Sequence, residues 1–198
     1  MPSQSPRRHL KQHLNQHLNQ HLVLMGLRAS GKTTLGRAVA HALGANFIDL
    51  DDCTRSLLGA ATVREAFVTA GEARFREAET RALAEVLGQP PQVIALGGGT
   101  PTAPGAADLL AAARRSNRAF LVFLDPPLEV LAARLKAETG DRPSLTGLGV
   151  VEEIGVVAET RRPLYAALTD LRVPEALDAA SFVSIITSQV GSDSSSSD

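Results

Sequence analysis

Between about residue 21 and residue 190, short apolar runs alternate with longer amphipathic stretches. The short runs predict strands at 21–25, 46–50, 92–96, 119–124 and 171–173. The amphipathic stretches predict helices at 32–43, 62–69, 72–87, 105–115, 127–138, 151–168 and 175–189. The longer runs, 22–25, 93–96 and 119–124, are apolar rather than alternating, which is the pattern of strands buried on both faces. Strands separated by helices imply a parallel sheet with helices on each side, an α/β fold. Ligands in such sheets bind beyond the carboxyl ends of the strands, so chemistry is expected in the loops that follow them.

The two ends fall outside this alternation. From His9 the chain reads HLKQ-HLNQ-HLNQ-HL, a four-residue repeat whose His9, His13, His17 and His21 would share one face of a helix. Such a face could take a metal ion adventitiously, but a low-complexity extension without chemistry accounts for it as well. Residues 191–198, GSDSSSSD, carry nothing to bury. The expected organisation is therefore a disordered extension at 1–20, one domain at 21–190 and a disordered tail at 191–198.

The loop after the first strand carries the strongest local signal. Leu22–Val23–Leu24–Met25 runs into Gly26, and Gly31, Lys32 and Thr33 complete G-x-x-x-x-G-K-[ST]. In this motif the glycines let backbone N–H groups approach phosphate oxygens, and the following helix aims its positive end at the same anion. Lys32 adds a full charge near the β/γ-phosphates, the Thr33 hydroxyl suits Mg²⁺, and Arg28 offers a second cation within the loop.

Composition narrows the field only modestly. With 198 residues and a net charge of −1, the chain has room for one core and offers no bulk electrostatic case for nucleic acid or membrane. Cys53 is the only cysteine, so no disulfide can form within the chain, which suits a reducing cytoplasm. No apolar run approaches membrane-spanning length, and no secretory leader is recognisable. Tyr165 is the only tyrosine.

Four further stretches hold candidate chemistry. Asp49 and Asp51, two apart at the end of the second strand, would share one face of an extended segment. One carboxylate suits support of Mg²⁺ through water and the other suits a substrate hydroxyl and its proton, although a pair of solvated loop acids would look the same. Arg76 and Glu79 lie three apart on one helix face, either a preorganised anion clamp or a surface ion pair. Gly97–Gly98–Gly99, after the third strand, fits backbone that must lie against a ligand, or a flexible turn. The stretch 140–147, GDRPSLTG, has the composition of a lid loop carrying Arg142, or of a plain surface loop. Beyond it, Pro163 should kink or restart the sixth long helical stretch.

Taken in order, GLRASGKTTLGRAVA, FIDLDD, GEARFREAE, VIALGGGTP, DRP and RRPLYAALTD make the chain resemble shikimate kinase from about residue 22 to residue 190. The resemblance implies the nucleoside-kinase-like branch of P-loop NTPases: a five-stranded parallel sheet flanked by helices, with a lid loop. It implies ATP-dependent phosphorylation of the 3-hydroxyl of shikimate, a step toward chorismate and the aromatic amino acids. ATP and Mg²⁺ would be the cofactors, shikimate the small-molecule partner, and the enzyme a cytoplasmic monomer. Gly26, Arg28, Ala29, Ser30, Gly31, Lys32, Thr33 and Thr34 would hold the nucleotide phosphates. Thr33 would meet Mg²⁺, with Asp49 supporting it. Asp51 would take the ring hydroxyls and act as base. Arg76 and Arg161 would clamp the carboxylate, Glu79 would orient Arg76, and Gly97–Gly99 would offer backbone. Arg142 would close over ATP, and Arg134 would pack near adenine.

Four departures from the family pattern stand out. Ala29 replaces a common loop glycine, Ser144 replaces a leucine in the lid, and Asp52–Cys53–Thr54–Arg55 lacks a usual acidic residue. No arginine follows Arg172 to hold adenine. Two rival expectations are a kinase for another small hydroxy acid and a domain that senses a ligand without turnover. The short repetitive extension is no DNA-reading module, which disfavours a regulator.

Overall fold

Strand β1 (His21–Gly26) is buried along its whole length and occupies the centre of a parallel sheet. The computed structural model describes residues 18–137 and 150–192. His9, His13 and His17, the whole lid stretch 140–147 with Arg142 and Ser144, and residues 193–198 lie outside the described residues.

After β1 the chain continues as α1 (Lys32–Leu43), β2 (Phe47–Asp49), α2 (Leu50–Leu57), α3 (Val63–Leu87) and β3 (Val93–Ala95). A short 3-10 turn at Thr100–Thr102 leads to α4 (Ala106–Arg115), β4 (Ala119–Leu124), α5 (Leu128–Ala137), α6 (Val150–Leu168), β5 (Leu171–Val173) and α7 (Ala179–Ser192). The strand order is β2-β3-β1-β4-β5, and every neighbouring pair is parallel. This is the five-stranded sheet expected from the resemblance.

Alternation along β1 sends Val23 and Met25 to one face and Leu22 and Leu24 to the other. The first face is covered by α3, α4 and α6 through residues such as Leu83, Leu110 and Tyr165. The second is covered by α1 and α7 through Leu35, Val39, Phe182 and Ile186. Both faces being apolar explains why β1 carries no polar alternation except at its first residue. That residue, His21, is buried, with Nδ1 lacking a hydrogen-bond partner, and burial lowers its pKa. The last histidine of the repeat therefore belongs to the sheet and not to a histidine-lined helix.

Two other expectations change, and the pair of helices flanking Gly71 is present. Asp49 ends β2, but Leu50 already begins α2, so Asp51 sits in a helical first turn and the two carboxylates do not share an extended face. Asp49 caps α2 by accepting from the Asp51 N–H at 3.1 Å; this local side-chain acceptor converts the strand end into a helix start. The helices expected at 62–69 and 72–87 are two segments of α3 joined at Gly71, whose φ of 76° breaks the helical geometry there. Thr62 caps the first segment, accepting from Glu65 N–H at 3.0 Å. Finally, α7 begins at Ala179 rather than at 175: Asp178 caps it by accepting from Ser181 N–H, which leaves 174–178 as a loop. The α6 helix carries Pro163 within it without ending.

Candidate active site

The crossing from β2 back to β3 beside β1 places two loops together at the carboxyl edge, one after β1 and one after β3. In the first loop, Gly26 has a φ of 157°, and a Cβ there would clash with the Leu124 carbonyl oxygen. Only glycine fits both demands. Gly31, at φ 99°, caps α1, whose first turn has no acidic residue to compete for an anion. Lys32 is buried, and its Nζ donates to the carbonyl oxygens of Gly26 (3.0 Å) and Leu27 (2.9 Å) and to Ser30 Oγ (3.4 Å). The charge is thereby held within the loop. Arg134, on α5, crosses to donate to the Ala29 carbonyl at 3.0 Å. Ala29 itself adopts φ 60°, the left-handed region, at a cost of about 1–2 kcal/mol relative to an unstrained residue. That is the physical meaning of a glycine preference at this position.

Thr33 Oγ1 donates to Asp49 Oδ2 at 2.8 Å, joining the two residues expected near Mg²⁺. Burial raises the pKa of Asp49, the Thr33 hydrogen bond opposing it and the Asp51 charge adding to it. A neighbouring divalent cation would reverse that bias. Around this pair opens a cavity of about 910 Å³ lined by the phosphate loop, Asp51, Arg134 and, from the loop before α7, Glu175, Leu177 and Asp178. Those last three had no sequence signal beyond a proline and an acidic cap.

The second loop holds Gly97–Gly99 tightly rather than loosely. A Cβ on Gly97 would meet Asp51 Oδ1 at 2.5 Å and Glu79 Oε1 at 2.9 Å, and one on Gly99 would meet Arg76 Nη1 at 2.5 Å. A Cβ on Gly98 would meet the Arg28 backbone nitrogen at 3.1 Å. The glycine run lets three functional side chains and the phosphate loop press onto bare backbone.

Arg76 Nη1 donates to Glu79 Oε2 at 2.7 Å, and Glu79, almost fully buried, also accepts from Thr100 Oγ1 at 2.8 Å. Burial raises the pKa of Glu79, with the Arg76 charge opposing the rise. A buried pair with both carboxylate oxygens engaged is a fixed clamp and not the surface ion pair that spacing alone allowed. On α6, Arg161 Nη1 donates to the Gly98 carbonyl oxygen at 3.0 Å, and Tyr165 Oη donates to the same oxygen at 2.8 Å. A small cavity of about 90 Å³ lies between Arg76, Arg161, Gly98 and the edge-on rings of Phe67 and Phe75, 5.4 Å apart. Arg28, Asp51 and Gly98 line both cavities, so the two meet there.

Sequence reasoning missed several residues near this edge. Arg64 lines the smaller cavity, exposed and without an ion pair among the described residues. Thr100, the threonine of VIALGGGTP, carries no sequence signal for its bond to Glu79. Asp125, buried at the end of β4, binds Arg162 Nε at 2.7 Å and Arg172 Nη2 at 2.5 Å, tying α6 and β5 to the sheet edge. An acid and two arginines at such separations carry no spacing that could have joined them beforehand.

A family model described as shikimate kinase matches residues 28–190. Shikimate kinase from Rhodopirellula baltica is 41% identical over 155 residues, covering 77% of this chain and 80% of that protein. Shikimate kinase from Microcystis aeruginosa is 39% identical over 150 residues, covering 76% and 74%. Among solved structures, shikimate kinase from Acinetobacter baumannii in complex with shikimate superposes with a TM-score of 0.80 at 27% identity, covering 91% of this chain and 98% of that one.

Proposed function

The chain belongs to the shikimate kinase family, and we propose that its activity, the ATP-dependent phosphorylation of the 3-hydroxyl of shikimate, divides among the residues as follows. The larger cavity takes ATP: the N–H groups of the 26–34 loop and Lys32 hold the phosphates, and Arg134 flanks the base. Thr33 and Asp49 fit a magnesium site, since Mg²⁺ needs few protein oxygens beside phosphates and water, and their side chains already meet. Mg²⁺, when bound, supplies charge neutralisation on the phosphates. Arg142 is assigned to the same task from the DRP motif alone.

The smaller cavity takes shikimate. Arg76, fixed by Glu79, and Arg161 pair with its carboxylate; Asp51 accepts from its hydroxyls; Gly97–Gly99 lie against the ring. As the 3-oxygen bonds to the γ-phosphorus, the bond from that phosphorus to the bridging oxygen of ADP breaks. The hydroxyl proton passes to Asp51. Arg28 lies where the transferring group must pass and neutralises its charge. The protein's part is mostly positioning and electrostatics, which suffices for this type of transfer.

The observation that carries this assignment is the meeting of the two cavities at Arg28, Asp51 and Gly98. The near-neutral charge gives no bulk electrostatic attraction to nucleic acid or membrane, and a cytoplasmic monomer is carried over from the family as part of the same proposal. Among the described residues no helix is long and apolar enough to cross a membrane. The testing experiment is shikimate-dependent ADP release from MgATP by the full chain, beside Lys32→Ala and Arg161→Ala. Turnover abolished by either substitution in a folded protein is expected. Nucleotide binding with no turnover on shikimate, but turnover on gluconate or quinate, would overturn the assignment of the acceptor.

A further inference from the structure

Resting on the function proposed above, we infer that Tyr165 is a positioning residue for the acceptor: its hydroxyl keeps the Gly98 carbonyl satisfied so that Arg161 can turn to the substrate carboxylate. The Gly98 carbonyl oxygen has two lone pairs, and both are used, one by Tyr165 Oη at 2.8 Å and one by Arg161 Nη1 at 3.0 Å. The two donors sit one turn apart on the same face of α6. Their attachments differ. Tyr165 is fully buried, its ring edge-on to Phe123 at 5.6 Å, and it cannot leave the carbonyl without opening the core. Arg161 lines the acceptor cavity.

A carboxylate is a stronger acceptor for a guanidinium than a carbonyl, because the hydrogen bond is charge-assisted on both sides. An arriving acid therefore draws Arg161 away from Gly98. Without the phenol, that departure would strip the partly buried carbonyl of its last partner, which costs free energy and holds Arg161 back. With the phenol in place, one strong donor remains, and the glycine loop keeps its position against Arg28, Arg76 and Asp51. Burial pushes the phenol pKa up to about 12, so the hydroxyl stays a donor across the working pH range.

The test is Tyr165→Phe in the full chain, which removes one oxygen and keeps the ring. Steady-state ADP release, with shikimate and MgATP varied separately, should show the shikimate KM raised about five- to tenfold, with kcat and the ATP KM within about twofold. In an Arg161→Ala background, which does not turn over, the same change should have almost no further effect on shikimate affinity measured by calorimetric titration, because the two act through one carbonyl. Phe123→Leu serves as the packing control: it loosens the same ring contact and should lower Tm without separating the two KM values. An unchanged shikimate KM, an equal rise in both KM values, or a Tyr165→Phe chain that does not fold would each overturn the inference while leaving the shikimate kinase assignment standing. Absence of shikimate turnover by the unmodified chain would overturn both.

Discussion

The nucleotide half and the acceptor half of this site are built by opposite means. On the proposed nucleotide side, residues 26–34 run without a break from the end of β1 through a loop into the first turn of α1, and the groups offered are backbone N–H groups and a lysine bonded to carbonyls five and six residues away. On the acceptor side, the work falls to side chains from α3, α6 and the start of α2, pressed onto a glycine run that makes room for them. The partners there lie three to sixty-seven residues apart in the chain. A local backbone device tolerates change in its neighbours but fails when its lysine goes. A distributed side-chain device loses affinity in steps, and each part can be removed while the other half keeps working.

That contrast can be broken at several points. The largest effect is expected from Lys32→Ala, about a thousandfold or more in kcat/KM, because no other described lysine reaches the loop; steady-state kinetics on a chain of unchanged circular dichroism measures it. At the seam between the halves, Asp51→Asn should lower kcat about a hundredfold, the usual scale for a lost general base, and change the ATP KM little.

Glu79 sharpens the comparison through pH. Its carboxyl has a pKa above the usual 4.5, so acidification neutralises the partner of Arg76 earlier than an ordinary glutamate would. The shikimate kcat/KM should fall on the acid side from a correspondingly higher pH, and nucleotide affinity should not follow it. For stability the sign is set by proton binding: the folded state holds this proton more tightly than the unfolded chain. The contribution is therefore fully present below 4.5 and lost as pH rises through the raised value. Tm measured against pH should show that slope, and Glu79→Gln should remove it. The smallest effect is expected from Ala29→Gly. Relief of the left-handed φ is largely offset by the greater freedom of glycine in the unfolded chain, so stability should change by less than about 1 kcal/mol. A kcat within twofold would confirm that the phosphate loop tolerates its alanine.

The same contrast explains what could be read from the chain beforehand. The five strands, the phosphate loop and the break at Gly71 follow from short-range pattern and backbone chemistry, and each is present. Helix α2 was missed because Asp49 converts the strand end into a cap within one residue, and hydrophobic periodicity carries no trace of that. The Arg76–Glu79 spacing was visible, but its burial was not, since that depends on Thr100 and Gly97 arriving from another element. Tyr165 stands out in the sequence only as the single tyrosine; its hydroxyl has meaning only once α6 lies against Gly98. The part of the larger cavity wall made by Glu175, Leu177 and Asp178 is hidden by expecting the last helix four residues too early.

The most direct test of the central division is calorimetric titration of Arg76→Ala with shikimate and, separately, with a non-hydrolysable ATP analogue and Mg²⁺. Truncating one member of a buried charge pair should weaken shikimate binding about a hundredfold and leave nucleotide binding within about twofold of the unmodified chain. Equal loss of both ligands by a chain that is still folded would contradict the division.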